Sequence, residues 1–135
     1  MIEVVNRQRG RKIATERWVS RAKKMLDAME RPDSSVTIAF VSDRKIRELN
    51  RQFRGLDKPT DVLSFPDDNN SHNLGDIAIS ADTAARQAKE NGLTFEGEIS
   101  QLVLHGLLHL SGYDHETDHG EMNRIELRLR KKLRI

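Results

Sequence analysis

Apolar positions along the chain fall into nine short patterned stretches, four with the spacing of strands and five with that of helices. Ile2–Asn6 is a β-branched run that reads as an edge strand. Residues 15–30 carry Trp18, Ala22, Met25, Leu26 and Met29 at three- and four-residue steps, the stripe of an amphipathic helix. Trp18, the sole tryptophan, lies in that stripe and reads as core rather than as a base-stacking platform. Pro32 and Asp33 mark a turn, and Ser35–Val41 reads as a strand. Asp43 is placed to cap a helix running through Ile46, Leu49 and Phe53. Residues 61–80 form a predicted hairpin whose long polar tip spans 67–73. Ser80 can cap a helix over 81–91 that ends at Asn91-Gly92, and Thr94 opens the next. The last helix starts near His119, with Met122, Ile125, Leu129 and Leu133 as its inner stripe. The order β-α-β-α-β-β-α-α-α predicts an α+β fold, a single domain over 1–135 with a small mixed sheet of about four strands and about five helices.

The helix opened by Thr94 is apolar nearly all round, the mark of a central buried helix, yet it contains His105 and His109. Four residues apart on a helix, two imidazoles share one face about 6 Å apart along the axis. Gly112 follows where the helix can end in a left-handed residue, which lets the chain reverse and return His115. A lone buried histidine is ordinarily a hydrogen-bonded core residue. Two at helical spacing, a glycine and a third histidine predict three metal ligands with an open fourth position, a catalytic zinc site. The spacing resembles the zinc metalloprotease pattern H-E-x-x-H-x-x-G-x-x-H, which implies a metzincin-like core. Gly106 stands where those enzymes carry their general-base glutamate.

Composition narrows the chemistry. With no cysteine among 135 residues, disulfides, iron–sulfur clusters and thiolate zinc sites are excluded. Nickel or copper would also suit imidazole ligands in vitro. The first residues lack a signal-peptide apolar region and no apolar run is long enough to span a bilayer, so the expected location is cytoplasmic and no membrane partner is expected. Net charge is +2, but residues 1–31 and 124–135 each carry +5 while 32–123 carry −8. Basic ends fit either a phosphate-backbone footprint or ordinary solvated helix faces.

Two stretches occur together here: His105-Gly106-Leu107-Leu108-His109-Leu110-Ser111-Gly112-Tyr113-Asp114-His115 and Pro59-Thr60-Asp61-Val62-Leu63-Ser64-Phe65-Pro66. With Leu74-Gly75-Asp76-Ile77 and the total length, they resemble the YbeY family of bacterial rRNA-maturation proteins. The resemblance implies a zinc-dependent, single-strand-specific endoribonuclease. It would act in maturation of the small-subunit (16S) rRNA 3′ end and in ribosome quality control. The implied partners are single-stranded rRNA and the ribosome or its small subunit, with no DNA expected. By position, His105, His109 and His115 match the family's metal ligands, and Arg54 matches its functionally important arginine.

The general base stays open at this level. Glu98 lies two turns before His105, and Asp61, Asp76 and Asp114 can equally orient a ligand histidine. His119 is expected to be exposed, Tyr113 to pack on the turn, and Met122 to be core. Two other functions share parts of the pattern: a ribosome-assembly factor whose metal is structural, and a small zinc peptidase. Gly106 argues against the peptidase, because peptide hydrolysis on this scaffold relies on a glutamate there.

Overall fold

In the computed structural model, residues 1–69, 72–113 and 119–135 are described. All nine expected elements are present, in the expected order. They are β1 (Ile2–Asn6), α1 (Thr15–Ala28), β2 (Ser35–Val41), α2 (Asp43–Arg54), β3 (Val62–Pro66), β4 (Asn73–Ser80), α3 (Ala81–Asn91), α4 (Phe95–Leu110) and α5 (Glu121–Leu133). The sheet order is β1-β2-β4-β3. β1–β2 and β2–β4 pair parallel and β3–β4 antiparallel, so the sheet is mixed and β1 lies at an edge. The fold is a single-domain α+β arrangement. No helix among the described residues is long and apolar enough to cross a membrane.

The sheet has two unequal faces. Val36, Ile38 and Phe40 of β2 and Ile77 and Ile79 of β4 point into the main core with α1, α4 and α5. Trp18 is 2% exposed there and meets Phe40, which places it in the core as expected. The opposite face carries a smaller cluster, Val41, Ile46, Leu63 and Ala78, covered by α2. β4 is therefore buried on both sides over its second half, unlike a strand with one wet face.

α4 lies across the main core, with Ile99, Val103, Leu104, Leu107 and Leu108 all buried. Each such side chain contributes roughly 1.5–3 kcal/mol of burial free energy. Gly106 lets this helix approach β4 closely: a Cβ there would stand 2.9 Å from Ile77 Cδ1. The helix ends as expected, with Gly112 at φ +99° and Tyr113 N–H donating to Leu108 O.

Two helix starts differ from the pattern-based reading. Ser42, not Asp43, caps α2, its hydroxyl accepting from Lys45 N–H. Asp43 is instead the first helical residue, and its carboxylate accepts from Ser80 Oγ, Thr83 Oγ1 and Arg86 Nη2. Burial pushes the Asp43 carboxyl up, but those hydrogen bonds and the Arg86 charge outweigh it and hold its pKa below the usual value. The side chain joins the start of α2 to α3, a contact across 37–43 residues that local sequence cannot signal. α5 begins at Glu121 after Gly120 (φ +96°), with His119 exposed ahead of it.

Candidate metal centre

The last two turns of α4 bring the first two predicted ligands together. His105 Nε2 and His109 Nε2 are 3.0 Å apart, with ring centroids 4.6 Å apart and the rings near perpendicular. His105 Nδ1 lies 2.9 Å from Glu126 Oε1 of α5. Glu126 is buried, and its other oxygen accepts from Arg130 Nη2 at 2.7 Å one turn on. Burial pushes the Glu126 carboxyl up, yet the His105 hydrogen bond and the nearby His105 and Arg130 charges hold it below its ordinary range. An ionised carboxylate only accepts, so His105 donates Nδ1–H to it. In neutral His105 the Nε2 lone pair then faces His109.

Both imidazoles open onto a groove of about 620 Å³ lined by Arg54, Thr60, Asp61, Ser64 and Tyr113 among others. Arg54 is the final residue of α2, and Gly55 (φ +70°) turns the chain away behind it. The loop that follows is pinned from two sides. Buried Asn50 donates from Nδ2 to Lys58 O at 2.9 Å, and Arg47 forms a forked pair with Asp57. The loop thus delivers Thr60 and Asp61 to the groove wall. Asp61 Oδ1 accepts from Val62 N–H at 2.7 Å, which fixes its carboxylate at the start of β3.

The family profile of endoribonuclease YbeY matches residues 3–134. The chain belongs to the YbeY family. The YbeY endoribonuclease of Syntrophotalea carbinolica is 47% identical over 122 residues, covering 86% of this chain and 81% of that one. That of Geobacter sulfurreducens is 41% identical over 137 aligned positions, covering 96% and 91%. Among solved structures, TM1509 from Thermotoga maritima superposes with a TM-score of 0.67 at 33% identity, covering 98% of this chain and 89% of that one. The YbeY match takes in the end of α2, the β3–β4 hairpin, α4 and α5, which are the elements that build the groove.

Within this YbeY fold the remaining candidates separate cleanly. Asp76 is exposed on β4 and does not line the groove. Glu98 is buried and accepts from Asn91 Nδ2 at 2.8 Å, a packing role beside α3. Met122 is fully buried in the core and Tyr113 lines the groove. Asp114 and His115 lie outside the described residues. Among the described residues no group of three or more His, Asp or Glu is arranged to hold a metal ion.

Sequence reasoning missed Glu126, Arg130 and Asn50. A signal existed for the first. Glu126 occupies the inner stripe of α5 with Met122, Leu129 and Leu133, where a carboxylate needs a buried partner.

Proposed function

We propose that this YbeY-family protein is a metal-dependent endoribonuclease that cuts single-stranded RNA, with residues 1–135 acting as one catalytic domain. Zinc is the metal, held by His105, His109 and His115, and Arg54 is the catalytic arginine. The substrate is small-subunit (16S) rRNA at its 3′ end, reached on the ribosome in the cytoplasm, during maturation and ribosome quality control.

The observation that carries the reading is the pair of Nε2 atoms 3.0 Å apart, facing a groove whose rim holds Arg54. Two nitrogens bound to one tetrahedral zinc stand about 3.3 Å apart, given Zn–N distances of about 2.0–2.1 Å. The buried carboxylate behind His105 matches the way ligand histidines are oriented and made more basic. The His105–His109 pair therefore fits the metal. Bound there, zinc supplies Lewis-acid polarisation and lowers the pKa of a coordinated water.

The chain's own groups do the rest. Glu126 holds the proton on His105 Nδ1 and keeps Nε2 available as a ligand. Arg54 offers a forked, charge-assisted contact to phosphoryl oxygens as negative charge builds on them. Position 106 faces Ile77 on β4 rather than the groove, so a glutamate of the protease type has no room there.

Cleavage of an RNA carrying the small-subunit rRNA 3′ region tests this reading. The single strand should be cut, the same sequence in a duplex left intact, and a chelator should stop the reaction until zinc is restored. Cutting that is indifferent to the chelator would remove the metal from the mechanism. Metal-dependent cleavage of a peptide, with RNA untouched, would make the protein a peptidase.

Glu126→Gln should raise the zinc dissociation constant by about 10- to 100-fold, the usual effect of losing such an outer partner. Competition with a chromophoric chelator measures it without reference to activity. Unchanged affinity would reduce Glu126 to a packing residue.

A further inference from the structure

Phe53, one residue before Arg54, is left largely in water. Only four large hydrophobic residues among those described are so exposed, and two of them, Phe53 at 58% and Leu56 at 38%, bracket Arg54-Gly55. The Phe53 ring is nonetheless held in place. Its centroid lies 5.1 Å from that of Phe65, with the planes at 68°. Phe65 in turn packs on the cluster of Val41, Ile46, Leu63 and Ala78 beneath α2. The ring is thus anchored through edge strand β3 to the sheet, while most of its surface faces solvent.

Three cationic residues lie within five positions of Phe53 along the chain. Arg51, Arg54 and Lys58 take part in no salt bridge among the described residues, whereas Arg47 is occupied by Asp57. An oriented, exposed aromatic ring with cationic residues close to it along the chain is the composition of a single-stranded nucleic-acid platform. Two apolar side chains make too small a patch for a stable protein interface, which buries about 1,000 Å² or more. A base has the right size, and only an unpaired base can leave its stack to lie on the ring.

We infer that Phe53 is a stacking subsite for an unpaired RNA base beside the phosphate that Arg54 contacts. The inference rests on the RNA-cleavage reading above and adds to it a structural source of strand selectivity. Arg54 faces the histidine groove, and Phe53 lies next to it at the end of α2. Consecutive helical side chains point about 100° apart, so an RNA strand leaving the groove past Arg54 reaches the ring by turning round the end of α2. A duplex would bring its phosphates to the same cations but no base to the ring.

The test is equilibrium binding of a short unpaired RNA and of a duplex, with chelator present to prevent turnover. Wild type, Phe53→Ala and Phe53→Trp are compared, with folding checked by thermal unfolding. Phe53→Ala should weaken single-strand binding by about 5- to 150-fold, the range found for losing one base–aromatic stack. Duplex binding should be unchanged. Phe53→Trp should bind within about threefold of wild type. Its indole fluorescence should be quenched by RNA, a readable signal because native Trp18 is 2% exposed. Less quenching by RNA carrying abasic positions would tie the signal to a base.

If wild type binds the single strand in chelator and cuts it once zinc is restored, and Phe53→Ala does both equally well, the stacking subsite is refuted and the cleavage reading stands. If wild type neither binds nor cuts single-stranded RNA, the cleavage reading fails and the subsite fails with it.

Discussion

Replacing Arg54 with alanine is expected to lower kcat/KM on single-stranded RNA by about 10²–10³-fold, the usual loss when one preorganised donor to a developing oxyanion is removed. Stability should stay within about 0.5 kcal/mol, because Arg54 is exposed and in no salt bridge among the described residues. Its guanidinium is placed by features outside itself. α2 ends on it, Gly55 turns the chain at φ +70°, and the Asn50 and Arg47 contacts hold the loop that follows. Arg54→Lys should recover only part of the loss, since an ammonium keeps the charge but not the planar fork. Single-turnover rates at saturating RNA separate the two roles. A loss confined to KM would make Arg54 a binding residue. No loss in either parameter would leave it an ordinary surface arginine.

Gly75→Ala should cost about 3 kcal/mol or more of stability, a large share of the roughly 5–15 kcal/mol that holds a domain folded. Gly75 has φ +131°, a conformation that side chains disfavour, and its built Cβ would stand 2.1 Å from the Phe65 carbonyl oxygen. The clash is with backbone, so no rotamer change relieves it. It arises because Asn73 pairs with Ser35 and Gly75 with Val36, which leaves Leu74 as an extra, bulged residue in β4. The bulge presses Gly75 against Pro66 of β3, where the two strands still pair. Pro66 also lines the groove, so any residual folded protein should cleave RNA poorly. Urea denaturation reads the loss as a lowered midpoint. Gly92→Ala is the control: its φ is +68° but nothing lies within 4 Å of a Cβ there. It should cost only about 1 kcal/mol. Equal losses at both positions would refute the clash as the cause.

The chain read alone specified the nine elements and their order, because periodicity and caps are properties of neighbouring residues. It also determined the His105–His109 pair, since four residues on a helix bring two side chains to one face wherever that helix packs. Gly112 was legible for the same reason, as a helix end that needs a positive φ. The strand order β1-β2-β4-β3 was decided only in three dimensions, as was the covering of the sheet's second face by α2. So was the meaning of Gly106: in the chain it is a missing glutamate, and in the fold it is the contact that seats α4 on Ile77. Glu126 shows the limit most directly. It sits 21 residues from His105, and its carboxylate becomes the histidine's partner only when α5 packs beside α4. The same holds for Asp43, whose hydrogen bonds join the start of α2 to α3, and for Asn50, which holds the loop leading to the groove wall. Local pattern specifies which face of each element is buried, and only packing decides which polar group on one face meets which on another.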